Sequence, residues 1–409
     1  MSTGEGGRER VLFVDDEPRV TDGLRRLLRG YRDRWEMTFV NDPDEALRLT
    51  REQGFDVVVS DMRMPGMDGA ELLERIRQLS PNTVRIILSG QSEASSIIRS
   101  VGPSHQFIAK PCDGPQIEQA IAAACRLRSH LRNPDLLALV GGIETIPSLP
   151  EIYTELMDAL RNEASGPQIG QIIERDLGMT VKILQLVNSS YFGMSQPITS
   201  AARAVMVLGT ETLQALVLGR KIFESLKVHE IEGETVEELW ERSSRAAGYA
   251  RLICREEGID SVMETQAITA TFLHELGLLI LGEHAPEALH QARQVEREEG
   301  LPRDEAERSV LGATHGDVGA YLVGLWGFPD PIVEAVAFHH SPARASGTAL
   351  APVTIVHVAQ ALADAWAPDE KAGETEPPAG LDRAYLRQLG YEENLARWCE
   401  LCLEPTRDD

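Results

Sequence analysis

Val11-Leu12-Phe13-Val14-Asp15-Asp16-Glu17 is the stretch whose reading decides the fold. Four bulky apolar residues are too few for a buried helix, and they run directly into three acids, which marks a buried strand ending at a polar rim. The same pattern returns in Asp56-Val57-Val58-Val59-Ser60-Asp61, in Val84-Arg85-Ile86-Ile87-Leu88-Ser89 and in Phe107-Ile108-Ala109-Lys110, with another strand near Thr38-Phe39-Val40. Between these runs the period changes. Val20, Leu24, Leu27 and Leu28 share one helical face, as do Leu72, Leu73, Ile76 and Leu79. Strands alternating with amphipathic helices predict an α/β doubly wound domain with a five-stranded parallel sheet covered on both faces, closed by a helix over 116–131.

Sites in open α/β sheets lie outside the carboxyl ends of the strands. That rim would gather Asp15, Asp16 and Asp61 with the hydroxyl of Ser89 and the ammonium of Lys110. Clustered carboxylates repel and need a cation; Mg2+, a hard ion with oxygen ligands, suits a site that also handles phosphate. Asp61 then reads as a nucleophile toward a phosphoryl group, with Ser89 and Lys110 holding the new phosphoryl oxygens.

Together with Asp61-Met62-Arg63-Met64-Pro65-Gly66-Met67-Asp68-Gly69 and Lys110-Pro111, these segments resemble the receiver domain of two-component response regulators, of flavodoxin-like fold, over residues 9–131. The resemblance implies that Asp61 is the phospho-acceptor for a sensor histidine kinase. It places Mg2+ on Asp15, Asp16, Asp61 and the backbone carbonyl of Arg63. It makes Ser89 and Phe107 a switch pair, gives Lys110 to the phosphoryl group, implies a cis Lys110–Pro111 bond, and allows a homodimer through the receiver.

After Asn133-Pro134 the strand signal nearly vanishes and helical patterns follow to the end, predicting an all-α second part. Ser148-Leu149-Pro150-Glu151 reads as a capping box, and single helices are expected over 263–281 and 303–325. A polar, proline-rich stretch at 367–380 reads as a mobile loop within a C-terminal helical extension, 341–409. His274, Glu275, His315, His339, His340 and Asp364 form a series that helices of a bundle can bring together, either as hydrogen-bonded core histidines or as a transition-metal site. Cys399-Glu400-Leu401-Cys402 reads as two packed thiols.

The series resembles the HD superfamily of metal-dependent phosphohydrolases, with departures. No histidine stands in Leu239-Trp240-Glu241-Arg242-Ser243-Ser244, where an early one is expected, and the His-Asp dyad is His274-Glu275. Upstream, Ile146-Pro147-Ser148-Leu149-Pro150, Ile173-Glu174-Arg175-Asp176-Leu177-Gly178-Met179-Thr180 and Leu186-Val187-Asn188-Ser189-Ser190-Tyr191-Phe192-Gly193 resemble the HDOD family, HD-related output domains that usually lack the full metal set; the core of this domain is expected at 138–340. The two resemblances imply a phosphorelay response regulator whose HDOD module binds a protein or small ligand. The alternative is a receiver-gated HD-type phosphohydrolase or cyclic-dinucleotide phosphodiesterase.

Composition narrows the classes. The 409 residues are 43% hydrophobic and 25% charged, which excludes wholesale disorder. Residues 1–130 hold 18 basic and 20 acidic side chains, so nearly all of the −24 net charge falls on the second part and disfavours DNA as its partner. No run is long enough for a membrane helix, and five scattered cysteines fit a reducing cytoplasm.

Overall fold

The computed structural model describes residues 8–403 apart from 91–103, 131–132, 142–145, 149, 163, 177–178, 181–182, 185–186, 188–197, 199, 210–212, 214–222, 226–229, 326–327, 367–377 and 379. The segment Asn188-Ser189-Ser190 and most of the stretch expected as a mobile loop at 367–380 thus lie outside the described residues. The chain forms two compact units, residues 1–225 with 324–327, and residues 226–323 with 328–409.

In the first unit, β1 (Glu9–Val14), β2 (Trp35–Val40), β3 (Val57–Asp61), β4 (Val84–Gly90) and β5 (Gln106–Lys110) form one parallel sheet in the order β2-β1-β3-β4-β5. Val11 to Val14 and Val57 to Val59 are almost wholly buried, as a sheet covered on both faces requires. Register carries the chemistry: Val14 pairs with Ser60, so Asp15 and Asp61 emerge side by side at the carboxyl rim. Caps fix where the covering helices begin. The Asp42 side chain accepts from the Asp44 N–H at the start of Pro43–Gln53, and Asp68 accepts from the Glu71 N–H at the start of Gly69–Leu79. Helix Gly114–His130 closes the domain.

The second unit is mostly helical, with helices including Val236–Glu256, Ser261–Leu273, Leu276–His284, Arg303–Leu311, His315–Leu325, Asp330–Phe338 and Pro352–Ala365. Three expectations need correction. The part after residue 134 is not purely α: Ile146–Ser148 pairs in parallel with Phe223–Ser225, and Glu230–Ile231 pairs antiparallel with Glu234–Thr235. These two- and three-residue strands are too short to show a period in sequence. The helix expected over 263–281 breaks at His274-Glu275, and the one over 303–325 breaks at Gly312, which takes a left-handed φ of +75°. Both breaks put site residues at helix ends. The C-terminal extension is built into this unit's core: Leu386, Trp398, Cys399 and Cys402 pack with Ala250, Ile253 and Leu362.

Candidate functional site

Two clusters answer to the residues singled out by sequence. At the sheet rim, Lys110 Nζ donates to Asp15 Oδ2 at 2.8 Å and makes a second, short hydrogen bond to Asp61 Oδ1. Asp15 is 2% exposed and Asp61 9%. Each carboxylate is also held by backbone: the Glu17 N–H donates to Asp15 Oδ1 at 3.0 Å, and the Arg63 N–H to Asp61 Oδ2 at 2.7 Å. Asn41 Nδ2 anchors the loop by donating to the Asp15 carbonyl at 2.7 Å. Burial pushes the Lys110 ammonium down, but hydrogen bonds and charge from Asp15 and Asp61 outweigh it and hold its pKa above the ordinary value. Asp16, next to Asp15 in the chain, is partly buried, and the Lys110–Pro111 bond is cis. Gly69 is required here, because a Cβ on it would stand 2.1 Å from the Asp61 carbonyl oxygen. The side chains of Ser89 and Phe107 lie outside the described residues; by register Ser89 stands near the carboxyl end of β4, opposite Ala109, while Phe107 stands near the start of β5, opposite Ile87.

Two carboxylates facing one ammonium, with Asp16 next in the chain, leave surplus negative charge at the rim. A hard divalent cation with oxygen ligands fits that set.

The second cluster lies inside the helical unit. His274, Glu275, His315 and His339 are almost fully buried. His274 Nδ1 donates to the Thr271 carbonyl at 2.5 Å and His339 Nδ1 to the Val336 carbonyl at 2.7 Å. His315 Nδ1 donates to Glu307 at 2.7 Å, and its backbone N–H donates to the same carboxylate at 2.7 Å. Since a carbonyl or carboxylate only accepts, these bonds fix the Nδ1 protons and turn the Nε2 atoms inward. His315 Nε2 and His339 Nε2 stand 3.1 Å apart. Ring nitrogens of His315, His339 and His340 all lie within 4.8 Å of one another. Among the buried atoms with no hydrogen-bond partner are two of this cluster, His340 Nε2 and Glu275 Oε2, the latter 3.8 Å from His315 Nε2.

Charge is distributed unevenly around these rings. Burial and neighbouring imidazoles push His339 and His340 well below the ordinary histidine pKa. Burial opposes charge on His315 too, but Glu307 overcomes it and raises its pKa. Burial would raise the Glu307 carboxyl; His315 and Arg303 instead hold it down to about 2. Burial likewise works against the Glu275 carboxylate, yet Arg242 and the facing histidines keep it ionised well below the usual range. A Cβ on Gly277 would meet the His315 carbonyl oxygen at 1.8 Å, so this glycine lets the helix after Glu275 touch the helix that starts at His315.

Asp364 lies at the edge of this centre, near enough to act on the His274 charge. It is 41% exposed and receives Arg242 Nη1 at 2.7 Å. Arg242, Arg303, Glu307 and Gly277 are functional neighbours that sequence reasoning missed. Arg303 and Glu307 stand four residues apart, the spacing of an ordinary surface pair, so nothing local signals that they are buried.

Comparison with known proteins places the chain. The response regulator receiver domain family matches residues 11–122, and the HDOD domain family matches residues 146–342. The class is therefore that of the two-component response regulators. Within it, the chain belongs to those that join a receiver domain to an HDOD output domain. An uncharacterized protein of Treponema pallidum is 26% identical over 205 residues, 50% of this chain and 39% of that protein. The hydrogenase transcriptional regulatory protein HoxA of Cupriavidus necator is 40% identical over 103 residues, 25% of this chain and 21% of its own length. The chain thus spans well under half of these two relatives. Among solved structures, the receiver domain of an HD domain-containing protein from Pseudomonas fluorescens is 30% identical, with a TM-score of 0.29, covering 30% of this chain and 98% of that one. The MmoQ response regulator of Methylococcus capsulatus is 20% identical, with a TM-score of 0.46, covering 62% of this chain and 98% of its own. A receiver domain implies a Mg2+ site and a histidine kinase partner in general. Among the described residues no helix is long and apolar enough to cross a membrane.

Proposed function

We propose that this response regulator is phosphorylated on Asp61 by a sensor histidine kinase. The observation that carries the reading is the shared hydrogen bonding of Lys110 Nζ to Asp15 and Asp61 at the sheet rim. Asp61 Oδ1 attacks the phosphorus of a phosphohistidine, so a P–O bond forms as the P–N bond breaks. Lys110 is freed from Asp61 as that oxygen is esterified and its ammonium then faces the new phosphoryl oxygens, keeping Asp15 as an anchor. Asp15, Asp16, Asp61 and the Arg63 carbonyl would hold Mg2+, which when bound offsets phosphoryl charge. Ser89 and Phe107 are assigned the switch by resemblance, and five scattered cysteines suit a reducing cytoplasm. Labelling with a small-molecule phosphodonor in Mg2+ tests the assignment: wild type takes the label, Asp61→Asn does not, and equal labelling refutes it.

We further propose that the HDOD output module binds a transition metal and reports to a protein or small ligand. Support comes from the clustered ring nitrogens of His315, His339 and His340 and from the two orphaned atoms, His340 Nε2 and Glu275 Oε2, which together form a nitrogen-rich donor set of the kind Fe, Mn or Zn occupies. Glu307 and the Val336 carbonyl act as the outer groups that hold ligating imidazoles in place. Elemental analysis of the purified protein tests this: metal present in wild type and lost in His339→Ala supports it, and metal-free wild type after exposure to these ions rejects it.

A further inference from the structure

We propose that Arg242 is a fixed cation occupying the carboxylate half of the helical centre, so that the centre takes one transition-metal ion, on the side of His315, His339 and His340, and not a pair. The inference rests on the metal reading above and concerns how many ions the site can hold.

Arg242 is 17% exposed, and its guanidinium is committed on every side. Nη1 donates to Asp364 Oδ1 at 2.7 Å and to Glu275 Oε1 at 3.3 Å. Nε and Nη2 both donate to Glu234, at 3.1 Å and 2.9 Å. The positive group therefore bridges two carboxylates that a second metal ion would otherwise share. A guanidinium keeps its charge at any working pH, so it cannot make way for an incoming cation by losing a proton, as a lysine or histidine can.

Glu275 divides its two oxygens between the halves. Oε1 faces Arg242 at 3.3 Å and His274 Nε2 at 3.7 Å, while Oε2 is buried without a hydrogen-bond partner and lies 3.8 Å from His315 Nε2. One vacant coordinating direction is thus left on this carboxylate, toward the imidazoles. Arg303 seals the opposite flank by joining Glu307 at 3.0 Å to Glu232 at 2.7 Å. Glu232 and Glu234, which engage the two arginines, lie on the same short hairpin, whose turn residue Glu232 takes φ +57°. Paired-metal hydrolysis uses two ions about 3.5–4 Å apart to hold both the attacking and the leaving oxygen. A guanidinium in the second position supplies charge but no metal-bound nucleophile, which suits an output that senses by binding.

The experiment is equilibrium Zn2+ binding to the full chain, followed by elemental analysis, with Mg2+ in excess to fill the receiver pocket. Wild type is expected to hold one Zn2+ per chain. Asp364→Ala, at an exposed position, is expected to keep one ion with affinity within about twofold, because Asp364 serves Arg242 and not the metal. A ligating Asp364 would instead cost at least the roughly 10-fold typical even of outer groups, and that loss overturns the proposal. Arg242→His removes the cation, adds a donor and is expected to raise the count to two. Two ions on wild type, or a folded Arg242→His protein that still holds one, also overturns it. No Zn2+ on wild type instead defeats the metal reading itself, a distinct result from a changed stoichiometry.

Discussion

In the receiver domain two carboxylates meet one ammonium at the rim of a sheet; in the helical unit four imidazoles and two carboxylates meet in the interior of a bundle. The first site is assembled by strand register, since Val14 beside Ser60 forces Asp15 beside Asp61. The second is assembled by two helix breaks and a glycine contact, which set residues from positions 274 to 340 around one point. The difference is one of solvent. At the rim, Asp15 and Asp61 are themselves buried, but the Lys110 side chain they share is 29% exposed and gives the site a way to solvent. In the bundle each charge needs a buried counter-charge, so Glu307 and Glu275 are matched by His315, Arg303 and Arg242.

The sharpest way to separate the regions is Asp61→Asn. It is expected to reduce phosphodonor labelling to background while leaving metal retention by the imidazole cluster unchanged, measured by labelling and elemental analysis on the same preparation. A labelled variant would break the assignment of chemistry to the rim.

The two glycines come next. Gly277→Ala would drive a methyl into the His315 carbonyl and separate two helices, and about 3 kcal/mol of stability should be lost in chemical denaturation. Gly69→Ala meets the Asp61 carbonyl in the same way, and about 2–3 kcal/mol is expected, confined to the receiver. If both variants lowered one and the same unfolding transition, the two regions would not be separate as described.

Smaller is Glu307→Gln, which keeps an acceptor for His315 but removes the buried counter-charge. About 2 kcal/mol should be lost, read from the same denaturation curves, with no effect on Asp61 labelling.

The least effect is chemical. Burial pushes the Cys254 and Cys402 thiols up to about 12, so the thiolate is scarce at pH 8 and remains so as pH rises to 9. Disulfide-exchange reagents should modify the half-buried Cys112 and Cys125 first, with the buried thiols reacting on the time scale of unfolding. Fast reaction of all five cysteines would contradict the packed C-terminal core.

The sequence by itself determined the receiver. A strand advertises its end, because an apolar run stops where the chain meets water, and functional residues of a parallel sheet collect at those ends; Asp15, Asp61 and Lys110 were therefore legible without coordinates. It also disclosed the histidine series, but not which members meet. Arg242 as the partner of Asp364, Glu307 as the support of His315 and the need for Gly277 were decided only by tertiary structure. Helical spacing says which residues share a face of one helix and nothing about which helix packs opposite. A buried ion pair such as Arg303–Glu307 has the same local spacing as an exposed one, so only the packing around it reveals its role.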